Sequence, residues 1–453
     1  MNNRKTNSSL IITIITLFIS LTGISQVTDT SFFPAFQAYS NAPIIKYGDG
    51  FADAAWNDPT ILKVNGQYIM YITAARGILG TDKVKVYRMV STDGYSWSLS
   101  PQTPVLEPVS GTYYAGGTET PSVVYFQGQY HMYIIAYPVT PQDAYSFTIG
   151  HAVSSDGISW QIDANPILES DGSSTWMGSV VGEPGALVYH DSIYLFFSGA
   201  GVENSSAVQS IGLIRSSDGT HFGAAIEAVK LPQDVYPTAS GWIGLSTPSA
   251  LAINDSIYLF TDVAKSVNGK WTQVALHQFK TYGNLNHWYH SNSPIYTTTD
   301  FSWTNGNYIS EIRSITPFMD DNGKLRIYYA GNHLGDISGT DTTYHITTDS
   351  LGLHVDPNFW GIGTSEYQFP AVSTGIDSKT YSEASLIYPN PAADFIIIQS
   401  SKNQEWNIIN SLGEAVIRHQ KTNTRINVSF LSNGIYYLVS PNSIYRQRFI
   451  INR

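Results

Sequence analysis

The chain has 453 residues, with 24 Lys and Arg against 35 Asp and Glu, a formal net charge of -11, a sequence pI near 5.4 and 13% charged residues. That charge density is about half of the roughly 25% usual for soluble domains, and its acidic sign argues against a nucleic-acid partner, whose phosphates call for a basic face. The absence of Cys excludes disulfides, thiol catalysis and zinc-thiolate sites, so stability has to come from packing.

The first 26 residues read as a signal peptide. Arg4 and Lys5 form a charged start, Leu10 to Leu21 an apolar run of 12 residues, and "TGISQ" a small-residue exit. Twelve apolar residues fall short of the roughly 20 that span a bilayer. The expectation is an exported protein with no stable membrane span.

Beyond this segment the chain repeats itself. "DPTILKVNGQYIMYITAARG" from Asp58, "TPSVVYFQGQYHMYIIAY" from Thr120, "EPGALVYHDSIYLFFSGAG" from Glu183 and "TPSALAINDSIYLFTDVA" from Thr247 are versions of one unit, and "TPFMDDNGKLRIYYAGNH" from Thr316 is a worn fifth copy. The aromatics Tyr68, Tyr130, Tyr194 and Tyr258 are 62, 64 and 64 residues apart. Each copy is an apolar strand, a short polar turn and a second strand, which is a hairpin pattern. A second hairpin recurs in phase through "STDGYSW", "SSDGISW" and "SSDGTHF", where Asp-Gly supplies a tight turn. Four strands per repeat and five repeats predict a five-bladed β-propeller over residues 33–350. Residues 351–385 read as a linker and a closing segment for the propeller.

From about Leu386 to Arg453 short alternating strands between Asn, Gly and Pro turns predict a small β-sandwich. "YPNPAADF", "LGEAV", "INVSFLSNGIYYL" and the terminal "QRFII" resemble the type A C-terminal sorting domain of the type IX secretion system. The resemblance implies a Bacteroidota-type cell, the type IX machinery as a partner, and a secreted or surface-bound product.

In a propeller the innermost strand of each blade runs along the central channel. The strand entries therefore meet at one mouth, whatever their separation in sequence. Asp58, Glu119 with Thr120, Glu183, Thr247, and Glu311 with Arg313 are expected to face one pocket. Crowded carboxylates raise one another's pKa values, and split protonation is what glycoside hydrolysis uses: one carboxylate acts as base or nucleophile and one neutral acid protonates the leaving oxygen. Asp before Pro is also an ordinary turn starter, so the set in register carries the argument rather than any one member. Aromatics ahead of the entries, Trp56, Tyr113, Tyr114, Trp176 and Trp242, are placed to stack on sugar rings; Asn57 and Arg313 supply polar contacts. The His residues show no metal-ligand spacing, and no phosphate loop or nucleophile elbow is present.

The five-bladed pattern with "WNDP" at Trp56 to Pro59 and "GEPGALVY" around Glu183 resembles the glycoside hydrolase clans of families 32, 43, 62, 68 and 117, and the related family 130. The resemblance implies Asp58 as general base or nucleophile and Glu183 as general acid. It departs at the second blade, where an Asp directly before Pro is replaced by Thr120 with Glu119 one residue earlier, so Glu119 is either a modulator or the acid itself. Some propeller glycosidases hold Ca²⁺ in the channel, although no residue here predicts a cofactor. The reading is a secreted glycoside hydrolase acting on an extracellular carbohydrate, with a catalytically inactive glycan-binding propeller as the alternative.

Overall fold

Regularly spaced tight turns cut the chain into antiparallel hairpins. The first three turn on Asn65-Gly66, Gln127-Gly128 and His190-Asp191, with positive φ at both central residues of each, the geometry that matches strand twist in a two-residue loop. The computed structural model describes residues 32 to 452 apart from short stretches, of which 77–83, 139–146, 335–344 and 368–385 are the longest. The signal segment and most of the linker expected at 351–385 lie outside the described residues. The chain divides after Phe369 into two units.

Among the described residues of the first unit, five antiparallel sheets follow one another, and the third and fourth are joined by a single parallel pairing, Gln209 with Gly244. Their inner strands are Ala54–Val64, Gly117–Phe126, Val180–Tyr189, Trp242–Ile253 and Ile309–Met319. Each packs against the next and the fifth packs against the first, so they form a closed ring, a β-propeller. Apolar clusters fill the spaces between neighbouring sheets, one around Trp56, Met70 and Tyr328, another around Phe196, Leu245 and Phe279.

Neighbouring sheets are latched by one repeated bond. In each Asp-Gly turn the Ser91, Ser154 or Ser216 hydroxyl accepts from the glycine amide three residues on, and the same glycine offers its carbonyl outward. Buried tyrosines on adjacent sheets take it: Tyr71 donates to Gly157, Tyr133 to Gly219, and Tyr328 on the fifth sheet to Gly94 on the first. The last of these closes the ring.

The fifth sheet draws on residues past 350, within the stretch read as a linker and closing segment. Its third strand is Gly361–Tyr367, set back by an inserted hairpin of His345–Asp349 and Gly352–Asp356, and its outermost strand is Gln37–Ala38 from the beginning of the propeller. A sheet built from both ends of the unit ties the ring shut without extra residues.

The second unit carries two antiparallel sheets, one of Leu386–Tyr388, Phe395–Gln399 and Arg425–Asn427, the other of Ala415–Lys421, Glu405–Ile409, Gly434–Val439 and Arg446–Ile451. Its core gathers Trp406, Ile396, Ile398, Ile408, Leu438 and Phe449.

Candidate active site

The same irregularity interrupts all five inner strands. Pairing shifts register between Asn57 and Thr60, Glu119 and Ser122, Gly182 and Gly185, Ser246 and Ser249, and Arg313 and Thr316. At each bulge one non-glycine residue takes positive φ: Asp58 (52°), Thr120 (51°), Glu183 (51°), Thr247 (45°) and Ser314 (56°). Such backbone costs on the order of 1–3 kcal/mol per residue, and bulges re-aim side chains and leave a ladder group unpaired. Five copies around one axis make this a property of the ring.

The unpaired amides find side-chain acceptors on the preceding sheet. Thr120 N–H donates to Thr73 Oγ1 at 2.8 Å, Thr247 N–H to Ser198 Oγ at 3.0 Å, and Ser314 N–H to Asp262 Oδ2 at 3.2 Å. Thr73, Ser198 and Asp262 are equivalent, each opposite the residue just before its own bulge. The fourth sheet thus uses a carboxyl where its relatives use a hydroxyl. Ser246 also donates to Asp262.

Asp58 is buried on the axis, and its two oxygens are separately engaged: Thr120 Oγ1 donates to Oδ2 at 3.1 Å and Ser314 Oγ to Oδ1 at 2.5 Å. Below it lies an axial cavity of about 20 Å³, lined by Pro59, Pro121, Pro184, Pro248 and Ile315 among others, room for about one water. Glu183 is half-buried; its Oε2 accepts from Ser198 Oγ at 2.5 Å and from Thr247 N–H at 3.1 Å. Glu119 is also half-buried, one residue ahead of its bulge, and no hydrogen-bond partner holds it among the described residues. Arg313, one residue ahead of the fifth bulge, lays its guanidinium 4.4 Å from the Trp360 ring centre, and its Nε has no partner among the described residues.

These groups set one another's protonation. Burial, then the charges of Asp58 and Glu183, push Glu119 up to about 8 against the opposing pull of Arg313. Burial and the Glu183 charge push Asp262 up to about 7 despite its donors. Glu183 is raised by burial, and Ser198, Thr247 and Arg313 work in the other direction. Burial works against the charge of Arg313, and Asp58, Glu311, Glu183 and Asp262 outweigh it. The site is a set of carboxyls around one cation, with protons retained at neutral pH.

Several expected contacts sit elsewhere. Trp56 is fully buried, its indole N–H donating to the Asp49 carbonyl at 2.9 Å, so it is core and offers no face to a sugar. Trp176 packs over Gly199 and Gly212 and against Phe197 within the third sheet. Trp242 lies against Tyr236 and Lys265 in a cleft between the third and fourth sheets. Tyr113 and Tyr114 pack with the cluster around Tyr71. Thr120 and Thr247 are buried and committed to Asp58 and Glu183. Asn57 is buried with its Oδ1 unpartnered among the described residues, and Glu311 is buried beside Arg313. Asp262, Ser198, Ser314 and Trp360 were not anticipated. Asp262 left a signal, an acid inside the apolar strand "IYLFTDVA"; Trp360 left none, being brought in by the inserted segment. Among the described residues no group of three or more His, Asp or Glu side chains is arranged to hold a metal ion.

Residues 118–240 match the glycosyl hydrolases family 32 N-terminal domain, and residues 386–452 match the secretion system C-terminal sorting domain. No curated protein matches the chain. Among solved structures, one titled "Glycoside hydrolase" superposes with a TM-score of 0.55 at 14% identity, over 80% of this chain and 96% of its own. An alpha-L-arabinofuranosidase from Lactobacillus brevis gives 0.52 at 12%, over 73% and 93%. A structure titled for GH130 mannoside phosphorylases and for hydrolases that target beta-1,2 mannosidic linkages in Candida mannan gives 0.51 at 14%, over 75% and 95%. The class is a propeller of the glycoside hydrolase type. This chain joins such a propeller to a sorting domain that directs type IX export to the cell surface or beyond it. No helix among the described residues is long and apolar enough to cross a membrane.

Proposed function

We propose that the protein hydrolyses glycosidic bonds of an extracellular glycan, with Asp58 as the base or nucleophile and Glu119 as the proton donor. The observation that carries this reading is the contrast between two glutamates at the bulges of neighbouring inner strands. Glu183 is clamped by a hydroxyl and an amide, donors that favour a carboxylate. Glu119 has no such donors and holds its proton to about pH 8, which suits a general acid at neutral pH. Of the two roles left open for Glu119, modulator or acid, we take the acid, which leaves Glu183, the acid implied by the family resemblance, as its partner at the site, held by hydrogen bonds. Arg313, stacked on Trp360, and Asn57 orient sugar hydroxyls. Water is the acceptor.

Leaving-group dependence tests the assignment. Natural glycans and activated aryl glycosides are supplied to wild type, Asp58→Asn, Glu119→Gln and Glu183→Gln, beginning with arabinose- and β-1,2-mannose-containing substrates because two structural neighbours carry those names. An acid variant loses turnover of the natural bond but retains much of it on an aryl leaving group, which needs no proton. Glu119→Gln is expected to show that pattern and Asp58→Asn to fail on both. The pattern appearing in Glu183→Gln instead would return the acid role to the third blade. Tight glycan binding with no turnover of any substrate by wild type would make the propeller a binding protein.

A further inference from the structure

A second cavity lies off the axis. It is a cleft of about 640 Å³ between the third and fourth sheets, within the size range of ligand sites. Its walls are continuous with the carboxylate site. On one side the strand Ser192–Glu203 carries Ser198, the donor to Glu183, and reaches the cleft at Glu203; on the other, Trp242–Ile253 starts in the cleft at Trp242 and reaches Thr247, the second donor to Glu183. Each wall covers the distance in five residues, about 17 Å of strand at roughly 3.3 Å per residue. Gly244 allows the two walls to meet, because a Cβ there would run into Gln209 of the neighbouring sheet.

The lining combines an aromatic floor with hydroxyls and amides. Trp242 and Leu231 form the apolar part, Ser210, Thr238 and Ser266 the polar part, and the Gln209 side-chain oxygen has no partner among the described residues. Two exposed apolar side chains mark the rim. Trp271 is 40% exposed and pairs directly across from Ser266, and Val202 is 50% exposed and pairs across from Ala207. Directly paired residues share a face of the sheet, and Ser266 and Ala207 both line the cleft. Its charges are Glu203, Glu227 and Lys230, with Lys230 bonded to Glu227 at 2.7 Å and feeling the charge of Glu203 as well, so the two acids outnumber the one base.

We infer that this cleft binds a segment of a neutral glycan chain that extends outward from the carboxylate site. Aromatic surface takes the apolar faces of sugar rings, the hydroxyls and Gln209 take their edges, and the excess of acid over base disfavours uronate-bearing chains. The direction of the chain rests on the hydrolase reading, whereas binding in the cleft does not.

Affinity electrophoresis of the full chain through gels containing arabinan, xylan, mannan, inulin or polygalacturonate separates the two. The expected result is retardation of wild type by at least one neutral polysaccharide and not by polygalacturonate. Trp271→Ala, a surface change, is expected to weaken that retardation at least fivefold, with Gln209→Ala weakening it further, while Asp58→Asn, Glu119→Gln and Glu183→Gln are retarded. A catalytic reading that fails leaves this pattern intact. Retardation unchanged in Trp271→Ala and Gln209→Ala, equal retardation by polygalacturonate, or none by any neutral polysaccharide would overturn the inference.

Discussion

Ser314 donates its hydroxyl to Asp58 Oδ1 across 256 residues of sequence, so the carboxylate of the first sheet is held by the last. The same residue gives its amide to Asp262 on the fourth sheet. Ser314 therefore links ring closure to the geometry of the site. A hydrogen bond to a charged group contributes about 1.5–3 kcal/mol. Ser314→Ala is expected to lower the unfolding free energy by about 1–3 kcal/mol and, on the proposed function, to reduce glycan hydrolysis by about tenfold or more. Denaturant titration and initial rates on one sample measure both. A stability loss with unchanged rates would mean that Asp58 does not depend on this donor.

Glu119 and Asp262 bind protons more tightly folded than unfolded, at about 8 and about 7 against ordinary values of 4.5 and 3.8. The folded state then carries more protons than the unfolded chain at neutral pH, so stability falls as pH rises. The contribution is intact below about pH 4 and is lost progressively up to about pH 8. The melting temperature of wild type is expected to drop by about 2–4 °C between pH 5 and pH 8, and Glu119→Gln with Asp262→Asn should flatten that slope. An equally steep fall over this range in the double variant would show that other groups govern the alkaline side.

The repeat made most of this architecture legible because the hairpins carry their own turn chemistry and a fixed spacing. The inner strands, and the convergence of Asp58, Glu119, Glu183 and Arg313, follow from aligning the copies. What the alignment missed comes from outside the repeat unit. The outermost strand of the fifth sheet is Gln37–Ala38, from the far end of the propeller, and its third, Gly361–Tyr367, lies in the closing segment but at a position the repeat does not give. The aromatics misled because a Trp ahead of a strand reads the same whether it faces the axis or the neighbouring sheet; Trp56 fills the core between sheets. Asp262 was readable only as a misfit, an acid where two other copies have Thr73 and Ser198, and its meaning depends on the bulge amide it accepts.

The latch bonds predict a graded response. Tyr71, Tyr133 and Tyr328 are all buried and all donate to an Asp-Gly carbonyl, but only Tyr328 joins the fifth sheet to the first. Phe substitution leaves a buried carbonyl short of a donor and costs about 1–3 kcal/mol at each position. Tyr328→Phe is expected also to raise hydrogen exchange across both Leu325–Leu334 and Lys85–Ser91, since the closing contact has no covalent backup, whereas Tyr71→Phe should leave the fifth sheet protected. Equal exchange in the two variants would show that the ring opens elsewhere.

On the acid side the governing groups are buried histidines. His131 Nδ1 lies 3.0 Å from His151 Nε2, His151 Nδ1 lies 2.8 Å from Asp163, and Gln129 faces the far nitrogen of His131 at 3.4 Å. Tyr133 stacks on His151, and Asp218 is the nearest other charge from the adjoining sheet. Burial, then the neighbouring His151, pushes His131 down to about 4; burial also lowers His151 against the pull of Asp163. Below the ordinary value of 6.5 the unfolded chain takes up protons that the folded chain refuses, so stability is lost as pH falls from about 6.5 toward about 4. This opposes the carboxyl effect, which gains stability in the same direction, so the two slopes compete between about pH 4 and pH 6.5 and the carboxyl slope acts alone above that. His131→Gln keeps a hydrogen-bonding group but cannot titrate, so its melting temperature should fall about 2–4 °C less than that of wild type between pH 6.5 and pH 4.5. Part of the acid limb should survive in that variant, because His277, buried against Tyr236, is held down to about 3 by burial. Superimposable acid limbs for wild type and His131→Gln would show that the pair in the second sheet does not set acid stability.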